Sequence, residues 1–194
     1  MLASPKGELH LSINQWHTAF FDTFFKYITW LGSGWMVAVL VLVLLFVRVH
    51  DSVMFLAGNL VVTVIVQAGK HLFFPHALRP VAWFQGRDVL HLVQGVPMHL
   101  YNSFPSGHSA TAFGAFVMMV YLTRNRPLKF LWLLLALLTA FSRVYLSQHF
   151  TEDVVAGSFI GFAGMLATVY YFERNFSDFC NRPVVACFAR KKKI

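Results

Sequence analysis

The chain has 194 residues, 57% of them hydrophobic and only 12% charged, with a mean hydropathy of +0.59 and a formal net charge of +8. That balance excludes an ordinary soluble domain and points to a single integral membrane domain, because repeated apolar runs with short polar breaks leave no room for a separate soluble module. The cations gather at Arg124, Arg126 and Lys129 and again at Arg174, Arg182, Arg190, Lys191, Lys192 and Lys193; beside apolar segments they mark cytoplasmic ends rather than a nucleic-acid surface.

The first residues lack the basic start, apolar centre and cleavage site of a signal peptide, so the first span is expected to direct insertion. Within residues 9–31, Ile13, Trp16, Phe20, Phe24, Tyr27 and Leu31 recur every three or four positions, with Asn14, His17, Asp22 and Lys26 between them. This pattern predicts an amphipathic helix over 13–31 lying in the membrane interface, a sixth, polar-faced span being the alternative. Apolar segments at 35–49, 53–69, 110–123, 130–146 and 154–172 then read as five transmembrane helices of an all-α bundle. Gly157 and Gly161, four apart in the last of them, predict close helix packing. By charge, the 173–194 tail is cytoplasmic and the 71–105 loop extracytoplasmic. Within that loop, residues 81–101 read as a lid in which Trp83, Phe84, Val89, Leu90, Leu92 and Val93 could meet a lipid tail. Cys180 and Cys187 match no redox or zinc spacing and are expected as free thiols.

Three polar clusters fall on the same, extracytoplasmic side: Lys70 with Arg79, the stretch Pro105-Ser106-Gly107-His108, and Arg143 with His149 and Asp153. Two guanidinium groups and an ammonium suit phosphoryl oxygens, and a helix starting after Pro105 aims free N–H groups at an anion. A metal is not expected, since three nearby cations would repel it. His149 and Asp153 are four apart, so a helix beginning before His149 would bring carboxylate to imidazole and make a nucleophile. His108, on another helix, could serve as general acid. His10, His17, His50, His71, His76, His91 and His99 read as structural.

These clusters resemble the three signature motifs of the type 2 phosphatidic acid phosphatase superfamily, which includes membrane lipid phosphatases and soluble vanadium haloperoxidases. The resemblance covers about residues 50–172 and implies a helical bundle and metal-independent dephosphorylation without a cofactor. It implies Lys70, Arg79 and Arg143 on the phosphate, Ser106 and Gly107 on its oxygens, His108 as acid, His149 as nucleophile and Asp153 as its orienting partner. Eight residues separate Lys70 from Arg79, two more than the family's usual spacing. A loop kinked at Pro75 is expected to absorb them, with Arg87 as the substitute for Arg79. The expected function is dephosphorylation of a membrane lipid phosphate or diphosphate through a phosphohistidine, in a bacterial inner membrane with the site facing the periplasm. The alternatives are a lipid phosphotransferase and, behind it, a non-catalytic lipid-phosphate carrier. The expected partners are the lipid phosphate and the bilayer, with no nucleic acid; neither the lipid nor the oligomeric state follows from the sequence.

Overall fold

The structure is a computed structural model that describes residues 6–86, 89–177 and 180–189, with side chains only to 186 in the last segment. In chain order it forms α1 (Lys6–Asn14), α2 (Ala19–Ile28), a 3-10 turn (Thr29–Gly32), α3 (Gly34–Val47), α4 (Val49–Ala68), a π-helical turn (Gly69–Phe73), α5 (Pro80–Trp83), α6 (Gly107–Leu122), α7 (Arg126–Tyr145), α8 (Thr151–Asn175) and α9 (Val184–Ala189). No strand occurs among the described residues. This is the expected all-α membrane bundle. Among the described residues three segments are each long and apolar enough to cross a bilayer: Val49–Phe73, Arg126–Tyr145 and Thr151–Asn175. The segments Ala19–Gly32 and Gly34–Val47 pass that test only together and are bent by 55°. With 14 and 16 residues, α3 and α6 are the two expected spans that fall short of the roughly 20 residues of a full crossing.

The continuous helix expected across 13–31 is instead two helices and a 3-10 turn. Local polar chemistry explains the break. Asn14 ends α1 by giving its side-chain N–H to the His91 carbonyl at 2.9 Å and accepting from the His91 N–H at 2.8 Å. Thr18 opens α2 by accepting the Phe21 N–H on Oγ1 at 3.2 Å, as a capping hydroxyl does. The hydrophobic period runs through both pieces and conceals the interruption between them.

Close approach of α6 and α8 organises the bundle. A Cβ at Gly157 would collide with the Ser106 carbonyl, and one at Gly161 with the Ala110 carbonyl, so the expected small-residue face packs directly on the α6 backbone. Toward the other end, Met54, Phe55, Met118 and Met165 are fully buried together with Leu44, Val117 and Val169, joining α3, α4, α6 and α8 in one cluster.

The C-terminal part folds back under the α3–α4 turn: the Val49 N–H donates to the Arg182 carbonyl at 3.0 Å and that of His50 to the Cys180 carbonyl at 3.3 Å. Cys180 is disulfide-bonded, which corrects the expectation of free thiols. The Cys187 side chain lies outside the described residues, as do Arg87, Arg190, Lys191, Lys192 and Lys193.

Candidate active site

The upper ends of α4, α6 and α7, the start of the α8 segment and the 3-10 turn surround a cavity of ≈ 750 Å³. Lys70, Arg79, Gly107, His108, Arg143, Gln148 and His149 line it, with Lys26, Tyr27, Trp30 and Trp35 toward its mouth. Three separate stretches of sequence thus converge as expected.

Lys70 reaches the cavity from the π-helical turn, whose i→i+5 bonding encloses one residue more than an α turn; the Phe74 N–H bonds to the Gly69 carbonyl at 2.9 Å. That turn and the bend after it take up the long spacing to Arg79, which sits immediately before α5. Lys70 Nζ donates to the Asn102 carbonyl at 2.8 Å, and Arg79 Nε to the Tyr101 carbonyl at 3.0 Å. Both cations are buried and line the cavity; Arg87, the substitute expected for Arg79, lies outside the described residues.

Arg143 and His149 are brought together by the way α7 ends. Ser147 has a φ of 52°, in the left-handed region, and its N–H bonds to the Val144 carbonyl at 3.0 Å. The Gln148 and His149 N–H groups both reach the Arg143 carbonyl, at 3.0 and 3.1 Å. This is a Schellman-type helix end with serine where glycine is usual. It reverses the chain within five residues and sets His149 beside the arginine that closes the helix. Arg143 Nη1 donates to Thr29 Oγ1 at 2.8 Å, while its Nε is buried with no hydrogen-bond partner among the described residues.

α8 begins at Thr151, so His149 precedes the helix rather than lying within it, contrary to the expected register. The carboxylate nevertheless reaches the imidazole, because Asp153 turns back over the helix start. Asp153 Oδ2 accepts the Phe150 N–H at 3.0 Å and lies 3.4 Å from His149 Nδ1. Ser103 Oγ donates to the same oxygen at 2.5 Å and stands 3.5 Å from His149 Nδ1. With Nδ1 occupied on that side, Nε2 is the nitrogen left for the cavity. His149 is 1% exposed, and burial together with Arg143, Arg79 and Lys70 holds its pKa well below the usual 6.5, so the imidazole is neutral.

The stretch 105–108 divides its duties. Gly107 and His108 line the cavity at the first turn of α6, where N–H groups have no intrahelical partner. Ser106 does not line it. Its Oγ accepts from the Ser109 N–H at 3.4 Å and from Ser109 Oγ at 2.9 Å, so the hydroxyl expected on a phosphate oxygen is engaged in capping α6.

Other readings shift as well. His99, expected to be structural, lines the cavity, and the rim is made by Gly95, Val96 and Pro97 rather than by the apolar residues expected to meet a tail. Phe84 and Val93 are instead buried, Phe84 stacked against His10 and Val93 in a cluster with Phe25, Tyr145 and Leu146. α1 braces the turn that carries His149: His10 Nε2 and Asn14 Nδ2 lie 3.1 and 3.2 Å from Ser147 Oγ, and Lys6 pairs with Glu152. Ser103 and Gln148 had no signal in the sequence beyond being polar residues near a motif, and Thr29 had none.

Ser103 carries a direct prediction. Removing a hydrogen bond to a charged group costs about 1.5–3 kcal/mol. Ser103→Ala is therefore expected to lower kcat roughly 10- to 100-fold with KM little changed, because it loosens the carboxylate that lies against His149. Steady-state kinetics on the purified variant check this, and an unchanged kcat removes Ser103 from the site.

The structure thus gathers three cations and two histidines around one cavity of a helical membrane protein. The chain belongs to the PAP2 superfamily, whose family model matches residues 51–177. Over 70 residues, 36% of this chain and 30% of the relative, it is 40% identical to the lipid A 4'-phosphatase of Bacteroides thetaiotaomicron. The matched segments span under a third of the curated relatives they match. The crystal structure of Aquifex aeolicus LpxE is similar with a TM-score of 0.75 at 27% identity, over 84% of this chain and 94% of that one. The PAP2-type phosphatidylglycerolphosphate phosphatase of Bacillus subtilis shares the fold, with a TM-score of 0.71 at 21% identity over 88% of this chain and 85% of that one.

Proposed function

We propose that this protein removes a terminal phosphate from a membrane lipid phosphate or diphosphate through a phosphohistidine formed on His149. The observation that carries this reading is the convergence of Lys70, Arg79 and Arg143 on one cavity beside a neutral His149, with the buried Arg143 Nε lacking a partner among the described residues. Among the described residues no carboxylate forms an ion pair with these three cations, which suits them to a phosphoryl group whose charge they would offset in the transition state. In this reading His149 Nε2 attacks phosphorus as the bond to the lipid oxygen breaks, and His108 gives that oxygen a proton. Water then attacks the phosphohistidine, His108 takes the water's proton, and inorganic phosphate leaves. Asp153 and Ser103 hold the imidazole throughout.

A lipid substrate is supported by the position of the cavity at the ends of membrane helices, by Tyr27, Trp30 and Trp35 at its mouth, and by relatives named as phosphatases of lipids. Charge supports one orientation in the membrane. Arg48, Arg124, Arg126, Lys129, Arg174 and Arg182 all lie at the ends of helices away from the cavity, which argues for a cytoplasmic far end and a periplasmic active site in a bacterial inner membrane. A disulfide at that far end is unusual for a reducing compartment. Six cations on one side weigh more for orientation than one bond. The test is phosphate release by detergent-solubilised protein from a panel of phosphatidic acid, phosphatidylglycerophosphate, undecaprenyl diphosphate and lipid A, in EDTA. Turnover of at least one lipid in EDTA is expected. Activity only after a divalent metal is added contradicts the proposed chemistry, and phosphoryl transfer to an added lipid rather than to water would make the protein a phosphotransferase.

A further inference from the structure

Gln148 is 2% exposed, deep beside the cations, and every polar atom of it is engaged. Its side-chain Oε1 accepts from Arg79 Nη1 at 3.3 Å and from Arg143 Nη2 at 3.4 Å. Its Nε2 donates to the Pro97 carbonyl at 3.1 Å and touches Met98 Sδ at 3.1 Å. Its own backbone carbonyl takes Arg79 Nη1 at 3.3 Å, and its N–H closes α7 on the Arg143 carbonyl at 3.0 Å. One residue thus joins both guanidinium groups, the end of α7 and the rim of the cavity.

Two like charges side by side in a buried place repel, and something must hold them in register. A carbonyl dipole between them does so without cancelling their charge. A carboxylate there would form ion pairs and withdraw the positive charge from the cavity. A purely apolar side chain would leave the buried Arg143 Nη2 without this acceptor and Arg79 Nη1 on the backbone carbonyl alone, with the forks free to separate. The amide also has a donor end, and that end reaches Pro97, in the segment that forms the rim.

We infer that Gln148 is a positioning residue for phosphoryl transfer, spacing the Arg79 and Arg143 guanidinium groups for the phosphate and tying them to the 95–99 rim. This rests on the phosphatase reading above. The residue acts through the arginines rather than on the substrate. Its contribution is preorganisation, so it should appear in transition-state affinity more than in substrate affinity.

The experiment uses the full chain in detergent, with Gln148→Glu and Gln148→Met, both close to glutamine in volume. Each is assayed for kcat and KM on a turned-over lipid phosphate, for inhibition by orthovanadate, and for thermal unfolding. Gln148→Glu is expected to weaken orthovanadate at least about 10-fold and to lower kcat by a similar factor, since its charge pairs with the arginines. Gln148→Met is expected to lower kcat about 10-fold and weaken orthovanadate, with KM changing less than 3-fold, because lost alignment affects the transition state first. If either folded variant keeps wild-type kcat and orthovanadate affinity, the inference is overturned, even where thermal stability has dropped. Wild-type protein that turns over no lipid phosphate and ignores orthovanadate sinks the phosphatase reading itself, which separates the two failures.

Discussion

Replacing His149 with alanine is expected to lower phosphate release by roughly 10⁴-fold or more while leaving a folded, extractable protein, the scale of loss when a nucleophile is removed from a concerted set of groups. The surrounding cations would still bind the headgroup, so the loss should fall on kcat rather than on KM. The same residue sets the acid side of the pH profile. Its pKa lies well below the usual 6.5, and in the proposed mechanism the neutral form is the nucleophile. The working form therefore persists as pH falls through 6.5, and the acid limb of kcat/KM belongs at lower pH. A profile that loses activity with an ordinary histidine pKa would mean that the imidazole is not buried among cations during turnover.

The second large effect is structural. Gly161→Val should prevent the bundle from closing, because even a Cβ at this position meets the Ala110 carbonyl, and a backbone atom cannot move aside as a flexible side chain does. Overpacking at ordinary core sites costs about 1–3 kcal/mol. Here the two helices forced apart carry His108 on α6 and Asp153 on α8, so activity should fall with stability. Gly34→Ala is the control, since nothing lies within 4 Å of a Cβ there. Thermal unfolding and recovery after size exclusion should show Gly161→Val severely destabilised and Gly34→Ala unaffected. Equal melting temperatures for Gly161→Val and the wild type would contradict the close α6–α8 contact.

The groups with strong chemical signatures were legible in the sequence. Buried cations and paired histidines in a chain this apolar have few structural uses, so Lys70, Arg79, His108, Arg143, His149 and Asp153 stand out before any fold is known. The helices were legible from hydropathy and the close packing of the last of them from Gly157 and Gly161, while its partner α6 was not. What was hidden is local backbone geometry. Serine at 147 gives no sign of the left-handed turn that brings His149 to Arg143, because that place is usually marked by glycine. The π-helical turn that places Lys70 looks like ordinary helix in composition. The break between α1 and α2 is hidden under an unbroken hydrophobic period.

The supporting residues were hidden for a different reason. Ser103, Gln148 and Thr29 are uncharged, and their meaning comes from partners far away in the chain: Ser103 on Asp153, Gln148 on Arg79 and Pro97, Thr29 on Arg143. Ser106 is the converse. It sits in a recognisable motif, and the resemblance assigned it to phosphate oxygens, yet its hydroxyl is turned to Ser109 at the start of α6.

The claim at the centre of this account is the covalent use of His149, and trapping the intermediate tests it most directly. Purified protein is mixed with a lipid carrying a radiolabelled terminal phosphate, quenched in alkali within the first turnover, and the labelled peptide is located. The account predicts a label on His149 that is stable in alkali, lost in acid, and absent from His149→Ala. Label on another residue, or full turnover by His149→Ala, would contradict it.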